Sequence, residues 1–375
     1  MKMRLSLLIL ALALPAAGQR HRIEEVNSEK PDGKLLQAIM QENDAGKRTG
    51  LLEQFSTEFA QSKDLPWVLE QLQAAYVKTG DPDKILAAGD KLLAADPDDP
   101  EAAMQNLKAA EAKKDPALIK KYAAKTSAAA RKMSATPQPK EADEVAAWKA
   151  SLEYAKQVDS YADYAVYRAA VESRDAKVTI DLAETLRQQS PNSDYAGKLV
   201  QPLFIAYRQA NDNVKAVAFA EQILEKDQSS EDMLLVVADS YAQQNKEPAK
   251  VHAYSAKIVE IMAAKPKPEG MSDADWNNRK TLITGLAHYM SGKLYYTEKN
   301  YAKADSELRA ALPMAETNAA MKPEVLFFLG FSNYQLKKPQ DAANFYKACA
   351  AIKSQFQAGA QKSLLGIRNE YRGIQ

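Results

Sequence analysis

Apolar residues recur at helical spacing along nearly the whole chain, in long stretches of Ala, Leu, Lys, Glu and Gln that Gly and Pro seldom interrupt. Alternation of β-branched residues is almost absent. The pattern predicts an all-helical protein, and the spacing of the breaks becomes the informative quantity.

"YVKTGDPDKILAAGDKLL" (76–93) aligns on "AEAKKDPALIKKYAAKTS" (110–127), with Asp81-Pro82 on Asp115-Pro116 and Ile85 on Ile119, an offset of 34 residues. In each copy Asp caps a helix whose first turn holds Pro. Two copies nearer the C-terminus share a glycine (Gly292, Gly330), an alanine twelve residues on (Ala304, Ala342), a large residue four further (Leu308, Tyr346) and a small one three after that (Ala311, Cys349). This spacing resembles the tetratricopeptide repeat (TPR), in which small residues sit where two antiparallel helices approach and large ones fill the space beside them. His288 and Ser291 replace the usual Trp and Leu of one copy, and Asn333 the usual Tyr of the other.

The resemblance implies an all-α, right-handed superhelical solenoid of antiparallel helix pairs. Repeats are expected to begin near Pro66, Pro100, Gly197, Glu231, Gly285 and Pro323, with residues 135–196 helical but out of frame. The expected organisation is a signal peptide (1–18), a flexible segment (19–33), N-terminal repeats (34–135), a Pro-rich connection (136–142), central repeats (143–262), a Pro-rich loop (263–272) and a C-terminal repeat pair with a terminal helix (273–375). Ser272 and Asp275 form an N-cap arrangement after that loop.

"MKMRLSLLILALALPAAG" has a basic start, a short apolar run and small residues before a cleavage point after Gly18, the form of a Sec-type signal peptide. It predicts a periplasmic or secreted protein with no integral membrane segment after cleavage. The formal charge is +1 for the whole chain, and −1 without Lys2 and Arg4, so no basic excess points to nucleic acid. Cys349 is the single cysteine, which excludes an internal disulfide; it takes a small-residue packing position.

The chain holds none of the familiar catalytic or nucleotide fingerprints. His21, His252 and His288 stand at no metal-ligand spacing from one another or from Cys349, and the expectation is no enzyme, no cofactor and no metal. His288 is expected to be buried in the aromatic position of its repeat. "KTG" (78–80) ends a helix with Gly80. The acidic stretch "AADPDDPEAA" (94–103) fails as a calcium loop, since its fifth, sixth and twelfth positions from Asp96 are Pro100, Glu101 and Leu107. It reads instead as helix punctuation, Asp98 or Asp99 capping the helix that Pro100 begins.

The resemblance puts the first helix of each pair on a concave surface, and a protein or peptide is the expected partner. Phe327, Phe331 and Tyr334 form a stripe about 100° round their helix from the packing stripe of Leu326, Leu329 and Asn333. Tyr289, Lys293 and Tyr296 are the equivalents in the preceding repeat, and Gln335 adjoins Tyr334. These seven are the candidate partner-binding residues; the same spacing also suits burial against neighbouring helices. Tyr154, Tyr161, Tyr164 and Tyr167 share another helical face, read as core packing. A self-assembling structural protein is the alternative to a scaffold.

Overall fold

The computed structural model describes residues 20–371 and 373, so the signal-peptide stretch lies outside the described residues. The chain divides into two compact units, Met1–Ala210 and Asn211–Gln375. Unit 1 contains α1 (Pro31–Gln41), α2 (Ala45–Glu58), α3 (Leu65–Thr79), α4 (Pro82–Ala95), α5 (Pro100–Lys113), α6 (Pro116–Ser134), α7 (Val145–Glu172), α8 (Ala176–Gln189), α9 (Asp194–Lys198) and α10 (Val200–Gln209). Unit 2 contains α11 (Asn213–Leu224), α12 (Glu231–Gln244), α13 (Pro248–Ala264), α14 (Asp273–Thr297), α15 (Tyr301–Thr317), α16 (Lys322–Gln335), α17 (Pro339–Ala350) and α18 (Gln357–Glu370). The described residues hold no strand, and no described helix is long and apolar enough to cross a membrane.

Packing order makes each unit a stack of pairs. Each helix of unit 2 packs on the next, and α12, α14, α16 and α18 also touch in succession, forming one layer of alternate helices. In unit 1, α3, α5 and α7 contact one another in the same way. Short connections between successive helices enforce the antiparallel arrangement.

The Asp-Pro turns work locally as the sequence implies. Asp81 accepts from the Lys84 amide, Asp99 from those of Glu101 and Ala102, and Asp115 from those of Ala117 and Leu118. Each satisfies N–H groups that the first helical turn leaves unpaired. Of the two capping candidates in "AADPDDPEAA", the structure selects Asp99; Asp98 instead pairs with Lys132. Ser272 accepts from the Asp275 amide at the start of α14.

In five of the pairs the first helix is followed by a left-handed residue. Gly80 (φ 72°) takes this position after α3, and Lys114, Asn245, Lys299 and Lys337 take it after α5, α12, α14 and α16. Gly80 and Lys114 stand 34 residues apart, as do Asn211 and Asn245, so the repeat frame is written in the backbone as well as the side chains. The long α7 ends without one, at Ser173 in extended conformation, in the region that falls out of frame.

One expectation changes. Residues 20–30, expected as part of a flexible segment at 19–33, lie against unit 1: Ile23 and Val26 pack on the cluster that includes Leu36, Leu52, Phe55 and Tyr76. Apolar side chains in this segment give it something to bury. The tyrosine face of α7 lies at the margin of the core, where Tyr154 and Tyr161 pack on the cluster of Met104, Ala130, Ala155 and Val158 as expected. Ala155, Val158, Ala162, Ala165 and Val166 are buried, while the tyrosines lie half-buried on the flank. Tyr154 donates to Glu101 and Tyr161 to Glu111, both at 2.5 Å, because a phenol needs a polar partner where it leaves the apolar interior.

Candidate interaction surface

Glycines bring the helices of unit 2 close enough to stack aromatic rings between layers. A Cβ at Gly292 would lie 2.8 Å from Leu308 Cγ, and one at Gly330 would lie 2.8 Å from the Tyr346 ring. Ala304, Leu308, Ala311, Ala342, Tyr346 and Cys349 are all buried, as the repeat spacing requires. Cys349 Sγ donates to the Pro323 carbonyl at 3.2 Å, and burial raises its thiol pKa to about 11, so it remains an unreactive thiol at neutral pH.

Around this core runs a connected aromatic group. The Tyr296 ring stacks on Phe328 at 4.3 Å and meets Phe331 edge-on at 5.4 Å; Phe331 also meets Tyr301. Phe327 meets Tyr346 at 5.6 Å and Phe356 at 5.4 Å, and Phe328 joins the two sets. Tyr296, Phe327, Phe328, Phe331 and Phe356 are each half-buried. Three of the seven candidate residues, Tyr296, Phe327 and Phe331, therefore belong to one cluster.

The other four divide. Tyr289 and Lys293 form a polar group with Glu324: the Tyr289 hydroxyl donates to Oε2 at 2.9 Å and Lys293 Nζ lies 2.8 Å from Oε1. Burial, then the charge of Glu324 and its hydrogen bond, push the Tyr289 pKa up to about 12. Tyr334 donates to Glu370 of α18 at 2.8 Å, and Gln335 is exposed at the end of α16. Sequence spacing did not single out Phe328, Tyr301 or Phe356. Phe328 follows a candidate directly and could have been found from the run of two phenylalanines, whereas Phe356 arrives from the loop before α18.

The histidines make ordered contacts. His288 was expected to be buried, but it is half-buried at the flank of α14, where Nδ1 lies 2.7 Å from Glu307 Oε2. His252 stacks on Tyr295 at 3.7 Å, with Nδ1 2.8 Å from Ser291 Oγ and Nε2 3.2 Å from Glu298 Oε2. The order Ser–His–Glu is that of a hydrolase triad. Ser291, however, is 4% exposed and sits within α14, where backbone amides are already bonded along the helix and leave no donor for an oxyanion. The group joins α13 to α14.

In unit 1 a groove of about 620 Å³ runs between α2, α3 and α4, floored by Ala45, Gly50 and Ala74. Its charged walls are engaged with each other, Arg48 with Gln71 and both Lys84 and the Tyr76 hydroxyl with Glu53.

Paired antiparallel helices, close-packed glycines at the repeat position and left-handed residues in the same frame decide the classification. The fold is TPR-like. No family model matches the chain, and no curated protein does. Among solved structures, the TPR domain of P58(IPK) covers 91% of this chain and 97% of its own at 11% identity, with a TM-score of 0.27. Yeast Tom70 covers 93% and 78% at 15% identity (TM-score 0.25), and a human IFIT1 dimer with PPP-AAAA covers 91% and 79% at 15% (TM-score 0.29). At these scores the TPR-like assignment rests on the packing within the repeats.

Proposed function

We propose that this protein is an exported scaffold of the cell envelope whose unit 2 binds a protein or peptide partner along the layer of α14, α16 and α18. The observation that carries this reading is the half-buried aromatic group of Tyr296, Phe327, Phe328, Phe331 and Phe356. Its rings are fixed by packing on one another, so a partner meets flat apolar area without ordering it first. Lys293, Tyr334 and Gln335 supply polar contacts at its margins. An extended segment or one face of an amphipathic helix fits such a row of anchors. In a TPR array the concave surface is the one lined by first helices, which matches the place of α14 and α16 in their pairs.

The leader-like sequence at 1–18 supports export, and mass spectrometry of the protein from the envelope fraction should find a chain beginning at Gln19. A chain retaining Met1 in the cytoplasm would overturn that part. Light scattering of the purified protein should give a monomer at all concentrations. A concentration-dependent oligomer that dissociates on Phe331→Ala would favour the self-assembling alternative instead.

A further inference from the structure

The acidic stretch between α4 and α5 acquires in three dimensions what it lacks in sequence. Arg20 and His21, more than seventy residues upstream, lie against it. Arg20 Nε donates to Asp96 Oδ2 at 2.5 Å and Nη2 to Oδ1 at 3.1 Å. His21 Nε2 lies 3.3 Å from Asp99 Oδ2 and 3.7 Å from Asp96 Oδ2. Asp99 uses Oδ1 to cap α5, which leaves Oδ2 facing the imidazole. The three ligand atoms of His21, Asp96 and Asp99 all fall within 4.8 Å of one another, with Asp99 buried.

A second observation comes from another helix. Glu70, on α3, accepts a hydrogen bond from the His21 backbone N–H and faces the charges of His21 and Asp99. Its Oε2 is buried and has no hydrogen-bond partner. A sealed carboxylate oxygen without a donor is costly, and its companions here are two more carboxylates. Arg20 neutralises Asp96, while the carboxylates of Asp99 and Glu70 face the imidazole side of the group.

The spacing is that of metal ligands. Zinc bonds of about 2.0–2.2 Å in a tetrahedron place neighbouring ligand atoms about 3.3–3.6 Å apart. The separations from His21 Nε2 to the two aspartates bracket that range from 3.3 to 3.7 Å. One imidazole and several carboxylates form a set suited to zinc rather than to calcium or magnesium, which prefer oxygen alone. A carboxylate oxygen has two lone pairs, so Asp96 can serve an ion while Arg20 still holds it.

We infer that His21, Asp96 and Asp99 form a zinc-type divalent metal site, with the Glu70 carboxylate beside it, that staples the N-terminal segment to the α4–α5 seam. The fold needs such a fastening where it stands. Residues 20–30 belong to no helix until α1, and Ile23 and Val26 are the apolar groups that hold them on the core.

The test is calorimetric titration of ZnCl2 into untagged protein, with hydrogen exchange of residues 20–30 as a second readout. One Zn²⁺ should bind per chain, and His21→Ala and Asp99→Asn should each weaken it at least tenfold. Asn caps a helix nearly as well as Asp, so Asp99→Asn removes a ligand charge without removing the cap. Zinc should slow exchange in residues 20–30 of the unaltered protein and leave it unchanged in Asp99→Asn. Adding one residue ahead of Gln19 should change nothing, which separates this site from chelation by a terminal amine. Absence of saturable binding, binding indifferent to these substitutions, binding lost on N-terminal extension, or exchange unaffected by zinc would each overturn the inference.

Discussion

Two seams solve the same problem by different chemistry. Between α4 and α5 of unit 1, Gly89 faces a polar clamp: Gln73 Nε2 donates to Asn106 Oδ1 at 2.9 Å and to the Ala102 carbonyl at 3.2 Å. Between α16 and α17 of unit 2, Gly330 faces the Tyr346 ring. Each glycine lets two helices approach closely. The polar clamp is specific, its geometry fixed by directional bonds among buried groups, while the Asn106 Nδ2 atom inside it is buried without a hydrogen-bond partner. The aromatic seam continues outward into Phe327, Phe328 and Phe356, which are half-buried. Repeats of one architecture can thus divide labour, one region holding register and another offering surface.

The sharpest way to break this comparison is to add a methyl group at each glycine. At Gly89 a Cβ would stand 2.1 Å from Asn106 Oδ1 and 2.3 Å from Gln73 Nε2, so Gly89→Ala must part the clamp. Lost hydrogen bonding and overpacking together should cost about 3 kcal/mol. Gly330→Ala meets a ring edge at 2.8 Å, which small backbone shifts can relieve, and should cost about 1–2 kcal/mol. Denaturant titration followed by hydrogen exchange in each unit measures both; equal losses would mean the clamp is no stricter than the ring.

Next in size are two glutamates, Glu231 buried and Glu70 half-buried, expected to act with opposite sign. Burial alone would raise the Glu231 pKa, but hydrogen bonds from Lys265 and Arg279 hold it below the usual range. Its stabilisation is therefore fully present above the ordinary glutamate pKa of about 4.3 and is lost as pH falls through the lower folded value. Glu231→Gln should cost about 1–2 kcal/mol at pH 7, part of the ion-pair strength being screened at the exposed ends of Lys265 and Arg279. For Glu70, burial is the main cause of a raised pKa, which makes its ionised form a burden on the fold above that pKa. With chelator present, Glu70→Gln should be neutral or gain up to about 1 kcal/mol at pH 7. Melting curves at pH 7 and pH 4 test both, and a loss at Glu70 comparable to that at Glu231 would contradict the assignment.

The smallest effects probe what the two units share. Lys114 and Lys337 adopt φ of 53° and 58°, which glycine tolerates better than any residue with a Cβ. Lys114→Gly and Lys337→Gly should each stabilise by about 0.5–1 kcal/mol. Thermal unfolding would show it, and a loss at either would mean that the lysine side chain supports its turn.

What could be read from sequence was what proximity along the chain determines. Capping by Asp81, Asp99 and Asp115 needs only neighbouring amides, and the Gly-Ala-large-small spacing of 292–311 and 330–349 records contacts within one helix pair. Both are present in the structure. Contacts across the stack left no local trace. Phe356 reaches Phe327 from a separate loop, the α7 tyrosines bond to glutamates of α5, and His21 meets Asp99 across a sequence gap of 78. Nor did the rule for left-handed positions identify Lys114, since it favours Gly and Asn. The candidate site was legible as rings on a helix face; which rings join depends on α18.

The central claim is that a partner meets unit 2 at its aromatic row. A photo-crosslinking residue placed singly at Phe331, Tyr334 or Gln335 in the native host tests it, with Val214, an 82% exposed side chain on α11, as the reference position. The account predicts one shared adduct with a different protein from the three α16 positions and none from Val214. Adducts from Val214 alone, or from α16 only with a second copy of this chain, would contradict it.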